Sequence, residues 1–154
     1  MTKHEICMNE ALKEALKAKE VDEVPVGAVI VYQDRIIARA HNQIKTLKDP
    51  TAHAEMIAIT QAAAYLKNER LNETSLYVTI EPCPMCVGAL VLARVKSIYY
   101  GASDPKTGAC GSILNLANSR NLNHFIEVKK GLLREECAVL MQDFFKERRK
   151  NTVI

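Results

Sequence analysis

The chain has 154 residues, a formal net charge of +3, 48% hydrophobic residues and 25% charged residues. This composition excludes disordered and fibrous proteins, and a chain of this length can bury roughly two-thirds of its unfolded surface as one domain. No apolar stretch reaches the roughly 18 residues that a membrane-spanning helix needs, and residues 1–10 are too polar for a signal peptide.

The first half of the chain predicts a helix packed on an antiparallel hairpin. Apolar residues recur at helical spacing over residues 2–19, which indicates an amphipathic helix. β-rich runs at residues 25–32 and 35–40 are separated by only two residues, so we expect a tight hairpin. Residues 49–51 then offer capping chemistry and a helix-compatible proline ahead of an alanine-rich helix over residues 52–66.

The second half predicts three more strands, at residues 74–80, 96–101 and 125–129, with a helix over 84–95 and a last helix after Gly131. The 23 residues from 102 to 124 are enough for a helical crossover, which would let the fifth strand run parallel to the fourth. This order of elements indicates a three-layer α/β/α domain with a mixed five-stranded sheet, and we expect one domain over residues 1–154.

One combination of residues carries a specific chemical prediction. His53 and Glu55 are followed by Cys83 and Cys86, all near predicted helix starts. A structural zinc has four protein ligands, whereas a catalytic zinc keeps three and leaves the fourth position to water. The pattern therefore predicts one catalytic Zn²⁺ per chain with His53, Cys83 and Cys86 as ligands.

Glu55 is too close to His53 in sequence to be an obvious fourth ligand, but it can handle the protons of the bound water. Removing an exocyclic amine from a base needs hydroxide at the ring carbon, a proton on the neighbouring ring nitrogen and another on ammonia, and one carboxylate can carry them. Two residues advance about 200° around an ideal helix, so His53 and Glu55 must lie in a first turn that opens onto the site.

Other residues fit structural roles better. His41 and His124 are lone histidines, which are mostly packed or hydrogen-bonded, so neither is expected to be a ligand. Cys110, like the other isolated cysteines, is expected to behave as a small apolar residue, although a fourth thiolate at the metal would close the site. By pattern alone, Phe144 and Phe145 are more typical of a core than of a base-stacking platform.

Charge and cysteine content point to a partner and a compartment. Residues 146–150 carry a net charge of +3, so the rest of the chain is neutral. A basic terminal helix suggests a polyanionic partner, although basic residues also complement the helix dipole. Five cysteines, two in a Cys-x-x-Cys pair, suit a reducing compartment. We expect a cytoplasmic protein that does not bind membranes.

Several runs, including Asp49-Pro50-Thr51-Ala52-His53-Ala54-Glu55, Glu81-Pro82-Cys83 with Met85-Cys86, and Lys106-Thr107-Gly108-Ala109, resemble the bacterial tRNA-specific adenosine deaminases of the cytidine deaminase superfamily. The resemblance implies a cytidine-deaminase-like fold and a homodimer without a nucleotide cofactor. It also implies that adenosine becomes inosine at the wobble position of a tRNA anticodon, by zinc-bound hydroxide with Glu55 as the proton shuttle.

The resemblance further implies where the tRNA anticodon loop binds. Asn42 should hydrogen-bond the flipped purine, and Asp104 and Lys106 should contact the loop around it. The remaining residues implied to bind substrate are Ala54, Phe145 and Arg149.

Two alternatives stay open. Pro84 and Met85 between the cysteines also occur in guanine deaminases of the same superfamily, so a free-base guanine or cytosine deaminase is one. A noncatalytic zinc-containing RNA-binding module is the other. The region after the fourth strand and the basic terminal helix favour the tRNA enzymes.

Overall fold

The computed structural model describes residues 1–150. Its strands are β1 (Gly27–Tyr32), β2 (Arg35–His41), β3 (Thr74–Ile80), β4 (Ser97–Ala102) and β5 (Glu127–Lys130). Its helices are α1 (Lys3–Glu20), α2 (Ile44–Leu47), α3 (Ala54–Leu66), α4 (Pro84–Leu92) and α5 (Arg134–Lys150). None of these helices is long and apolar enough to cross a membrane.

The strands form one mixed sheet in the order β2-β1-β3-β4-β5. β1 pairs antiparallel with both β2 and β3, whereas β3, β4 and β5 run parallel. The hairpin between β1 and β2 turns through Gln33 and Asp34, which both have positive φ (49° and 64°). Two consecutive residues with positive φ match the twist of a two-residue hairpin.

Helices cover both faces of the sheet, which gives three layers. α1 and α5 pack on one face against alternate residues such as Val29, Val31 and Tyr77. α3 and α4 pack on the other face against Ile30 and Val78, whose side chains point the opposite way along the same strands. The prediction of an α/β/α domain with a mixed five-stranded sheet is therefore confirmed.

The structure corrects the prediction in three places. Residues 103–126, where a helical crossover was expected, contain turns and an isolated bridge between Cys110 and Asn115 but no helix. The short helix α2 was missed because its four residues are too few to show periodicity. α3 begins at Ala54 rather than at residue 52.

α1 lies unusually close to the start of β1, and the contact depends on Gly27. A Cβ atom at this position would lie 1.9 Å from the carbonyl oxygen of Ala11 and 2.5 Å from the amide nitrogen of Ala15. These atoms belong to the backbone of α1, so they cannot rotate away as a side chain would. Gly27 therefore sets the distance between the first helix and the sheet.

We expect Gly27→Ala to lower the free energy of unfolding by about 2–3 kcal/mol or more, because overpacking against fixed atoms forces the helix outward. Thermal and denaturant unfolding would measure the loss. Gly88→Ala is the matched control, since a Cβ atom there meets nothing within 4 Å and alanine favours a helix. Equal stability of the two variants would contradict the role given to Gly27.

Candidate active site

The site forms at one edge of the sheet, where β2, β3 and β4 end. β3 and β4 are parallel with Ile80 opposite Ala102, so the residues that follow both strands leave the sheet side by side. β2 places His41 opposite Gly27 at the start of β1, and β1 is antiparallel to β3. Three segments that are distant in sequence therefore meet at this edge.

His53 and Glu55 reach the site from the start of α3. His53 is the N-cap residue, with extended backbone (φ −73°, ψ 151°) and no capping hydrogen bond from its side chain. Glu55 lies in the first turn and is only 3% exposed. Because His53 precedes the helix, the angular separation of two helical residues does not apply, and both side chains line the same cavity.

Cys83 and Cys86 reach the site from the start of α4. Cys83 is the N-cap residue and also makes no capping bond, while Cys86 is buried in the first turn. Nδ1 of His53 lies 3.7 Å from Sγ of Cys83 and 3.5 Å from Sγ of Cys86. All three donor atoms lie within 4.8 Å of one another, and no other metal-binding group was found in residues 1–150.

Cys110 does not join this group. It is buried and uncharged in character, since burial raises the pKa of its thiol to about 12. The two lone histidines are also engaged elsewhere: Nδ1 of His41 lies 3.4 Å from Glu14, and Nε2 of His124 lies 2.6 Å from the carbonyl oxygen of Val95. Within residues 1–150 the group thus has three protein donors.

The surroundings shift the ionisation of the site in both directions: the pKa of Cys83 is lowered, whereas the hydrogen bond to Cys83 and burial raise the pKa of Cys86. A hydrogen bond from the Cys86 thiol lowers the pKa of Cys83 to about 4, which makes Cys83 a thiolate at neutral pH. Burial raises the pKa of Glu55 to about 7. A carboxyl group with a pKa near neutrality can both accept and release a proton under ordinary conditions.

These side chains open into a cavity of about 810 Å³. Eight of the ten predicted site residues line it, and they are Asn42, His53, Glu55, Cys83, Asp104, Lys106, Phe145 and Arg149. Cys86 is fully buried, whereas His53 and Cys83 are partly buried. Ala54 is also fully buried, but it contacts the cavity through a neighbour.

That neighbour is Asn42, which follows β2 and is 6% exposed. Its Oδ1 accepts a 2.8 Å hydrogen bond from the backbone N–H of Ala54. Because an N–H can only donate, this contact fixes the orientation of the Asn42 amide. Nδ2 of Asn42 makes no hydrogen bond within residues 1–150, so it is available to donate to a group in the cavity.

Asp104 and Lys106 lie in the segment after β4. The carboxylate of Asp104 accepts hydrogen bonds from the N–H groups of Lys106 and Thr107, at 3.0 and 3.1 Å, and from the Thr107 hydroxyl at 2.7 Å. Asp104 therefore shapes its own loop, while the side chain of Lys106 is exposed at the cavity.

α5 closes the opposite side of the cavity. Phe144 is buried as expected, but Phe145 is 42% exposed and lines the cavity, so the expectation from pattern alone that it belongs to the core was wrong. Two adjacent residues of a helix are about 100° apart, and here Phe144 faces the core while Phe145 faces the cavity. Nη2 of Arg148 donates to Asp22 at 3.0 Å, which ties the helix to the segment before β1.

Sequence reasoning gave no role to Glu81, which is 2% exposed and lines the same cavity. It stands between the apolar strand β3 and the metal-binding segment. An acidic residue directly after a buried strand, where a carboxylate must find donors, was the available signal.

The chain matches the family model described as MafB19-like deaminase over residues 2–149. It is 51% identical over 150 residues to a protein of Bacillus subtilis named tRNA-specific adenosine deaminase, covering 97% of this chain and 93% of that protein.

Two solved structures extend the comparison. One, from a study of A-to-I editing by tRNA:A34 deaminases at the wobble position of transfer RNA, has a TM-score of 0.84 at 46% identity, covering 87% of this chain and 97% of the other. The other, guanine deaminase from Bacillus subtilis, has a TM-score of 0.65 at 32% identity, covering 100% of this chain and 99% of the other. The chain belongs to the MafB19-like deaminase family, together with the relatives named tRNA-specific adenosine deaminases.

Proposed function

We propose that this protein hydrolyses adenosine to inosine at the wobble position of a tRNA anticodon, with a zinc ion held by His53, Cys83 and Cys86. The observation that carries the proposal is the buried carboxylate of Glu55 in a cavity lined also by His53 and Cys83. The 51% identity to a protein named tRNA-specific adenosine deaminase supports the choice of substrate.

The three donors fit zinc. Zn–S bonds of about 2.3 Å and Zn–N bonds of about 2.0–2.1 Å in tetrahedral geometry place a nitrogen and a sulfur ligand roughly 3.5 Å apart. The corresponding distances from His53 are 3.7 Å to Cys83 and 3.5 Å to Cys86. Zinc bound at these atoms would act as a Lewis acid that lowers the pKa of water.

Glu55 carries the protons of the reaction. It takes one proton from the attacking water and delivers it to the ring nitrogen next to the amine-bearing carbon. It then takes the second proton of the same oxygen and passes it to the amine, which leaves as ammonia. Water and adenosine are thereby converted into inosine and ammonia without an added acid or base. The raised pKa of Glu55, about 7, keeps both of its protonation states within reach.

Asn42 orients the base. With its Oδ1 committed to the N–H of Ala54, its Nδ2 can donate only to an acceptor on the purine. Ala54 thus contributes through its backbone, by fixing the direction in which Asn42 donates.

The rim of the cavity suits RNA. Lys106 and Arg149 supply positive charge, and Phe145 presents an exposed ring. Single-stranded RNA is held by bases stacked on aromatic side chains and by cations at its phosphates. We assign these three residues to the anticodon nucleotides that flank the reacting base, with Asp104 at the same wall.

The substrate class is tested by offering the purified protein an anticodon stem-loop with a wobble adenosine, together with free guanine, cytosine and cytidine. We expect inosine in the RNA and no ammonia from the free compounds. Conversion of free guanine alone would select the alternative suggested by the guanine deaminase of the same fold. Binding of RNA without any deamination would select a noncatalytic module.

Glu55→Gln should retain one equivalent of zinc and lose at least the roughly 10²- to 10⁴-fold in rate that acid–base catalysis supplies. Glutamine keeps the shape of the side chain but cannot accept a proton. Single-turnover rates on the stem-loop, with zinc content from the same preparation, provide the measurement. A variant with normal activity would remove Glu55 from the mechanism.

Cys86→Ala should abolish zinc binding, because it removes a ligand from the centre of the group. Cys110→Ala is the matched control, since Cys110 is also buried but lies outside the metal-binding group. Metal analysis after dialysis should give about one equivalent in the control and none in Cys86→Ala. Retention of stoichiometric zinc by Cys86→Ala would refute the ligand set.

We also propose that the protein is a homodimer. Large apolar side chains are exposed near the ends of α3 and α4 and in the segment before β5. They are Tyr65, Leu92, Ile113, Leu114, Leu122 and Phe125, with Leu92 82% exposed. Hydrogen bonds from Arg94 to Asn123 and between His124 and Val95 join the end of α4 to this segment. Exposed apolar patches of this kind mark protein interfaces.

Leu92→Glu should convert the dimer into monomers, because it places a charge in the apolar surface. Sedimentation velocity would measure the change. Leu16→Glu is the matched control, since Leu16 is 48% exposed on α1, on the other face of the sheet. A dimer that survives Leu92→Glu, or one that is lost with Leu16→Glu, would place the interface elsewhere.

Two broader expectations belong to the same proposal. The metal-binding residues and the cavity are carried by the helices and strands of one sheet, which supports a single deaminase domain over residues 1–154. Residues 151–154 lie outside the described part. A tRNA substrate and five free cysteines support action in the cytoplasm.

A further inference from the structure

Glu81 is a buried carboxylate that the proposed chemistry does not use. It follows β3 directly, precedes the metal-binding segment, and is 2% exposed. An ionised carboxylate in such a position is unfavourable unless donors surround it. The identity of its donors therefore shows what the residue holds in place.

Within residues 1–150, all donors of hydrogen bonds to Glu81 come from one loop, residues 103–112. Oε1 accepts from the N–H of Asp104 at 3.0 Å and from the hydroxyl of Ser112. Oε2 accepts from the N–H of Cys110 at 2.9 Å and from that of Ser112 at 3.1 Å. The two oxygens thus bind the beginning and the end of the loop at once.

The loop approaches this carboxylate so closely at Gly108 that a side chain there would displace the carboxylate. A Cβ atom on Gly108 would lie 2.3 Å from Cδ of Glu81 and 2.5 Å from each of its oxygens. The N–H of Ala109 also donates to the carbonyl oxygen of Pro82 at 2.8 Å. The loop is therefore wrapped around Glu81 and fastened to the residue just before Cys83.

A second carboxylate continues the arrangement towards the cavity. Glu81 fixes the backbone of Asp104, and Asp104 in turn accepts from the N–H groups of Lys106 and Thr107. Lys106 then extends at the rim of the cavity. The position of this cation thus depends on Glu81 through two consecutive sets of hydrogen bonds.

We propose that Glu81 is a positioning residue for substrate binding: it holds the loop of residues 103–112, and with it Lys106, at the wall of the active-site cavity. The part of this inference that concerns RNA rests on the proposed function. Glu81 is not one of the three metal-binding residues, and both of its oxygens are engaged by the loop. Its effect is on how well the substrate is held.

Glu81→Gln is the informative variant. It preserves the size of the side chain, but it replaces one acceptor oxygen with an amide that donates, facing N–H groups that also donate. We expect the amides of Asp104, Cys110 and Ser112 to exchange hydrogen at least about tenfold faster, because only one acceptor oxygen remains and the loop is no longer held at both ends. Amides of α3 should exchange as in the unchanged protein, and zinc content should stay at one equivalent.

With the stem-loop as substrate, Glu81→Gln should raise KM by roughly tenfold and leave kcat within about threefold. A variant that is merely less stable has fewer active molecules, which lowers kcat and leaves KM unchanged. Ile126→Val, a core substitution outside the loop, is the control for such destabilisation, because Ile126 is fully buried. Glu73→Gln is the control for the substitution itself, since Glu73 makes an exposed ion pair with Lys96.

Lys106→Ala tests whether Glu81 acts through this loop. Lys106→Ala alone should raise KM. It should add little when combined with Glu81→Gln, because a misplaced lysine already contributes little to substrate binding. KM effects that multiply fully would overturn the proposal. So would a fall in kcat alone, loss of zinc, or unchanged amide exchange in the loop.

The exchange measurement separates this proposal from the proposed function. If the unchanged protein deaminates free guanine and not the stem-loop, the RNA assignment fails. Exchange in the loop then still decides whether Glu81 holds it, and the KM comparison is made with guanine instead.

Discussion

The structure depends on two helices, α3 and α4, whose N-terminal ends lie next to each other. The first residue before α3 and the first residue before α4 have extended backbones, and neither side chain caps its own helix. His53 and Cys83 instead meet each other, 3.7 Å apart. The N-terminal ends of both helices favour negative charge, which suits the thiolate of Cys83. The sheet holds these two helix starts together, because α3 and α4 pack on the same face.

Around this point the chain uses buried carboxylates for two different purposes. Glu55 has a pKa raised to about 7 by burial, which suits a group that exchanges protons. Glu81 is equally buried but surrounded by donors from one loop, which suits a fixed acceptor. Glu23, which precedes β1, is likewise a fixed acceptor for the N–H groups of Lys45 and Thr46 at the start of α2.

Much of this could be predicted from the sequence. Strand β3 was predicted with its observed bounds, because its residues favour a strand and the run ends at a proline-containing segment. The metal-binding group was predicted because histidine and cysteine at this spacing have few structural roles. The prediction of a helix between β4 and β5 was wrong because it rested on length alone. Residues 103–112 are instead held by Glu81, which lies more than 20 positions earlier in the chain. The residue pattern alone wrongly placed Phe145 in the core, because two adjacent aromatic residues on a helix do not show which of them faces inward.

Within the described residues, the connection between β4 and β5 is a loop and not a helix. Substitutions in this loop therefore differ in effect from substitutions in a helix that packs on the sheet. A helix in this crossover would have to pack on the sheet, and altering it would disturb the layers that hold the metal-binding residues. A loop anchored at its two ends can vary between them, for instance at Pro105 or Lys106, while Pro82 and Cys83 stay where they are. Members of one fold family can therefore diverge in which nitrogenous ring they accept while keeping a common catalytic apparatus.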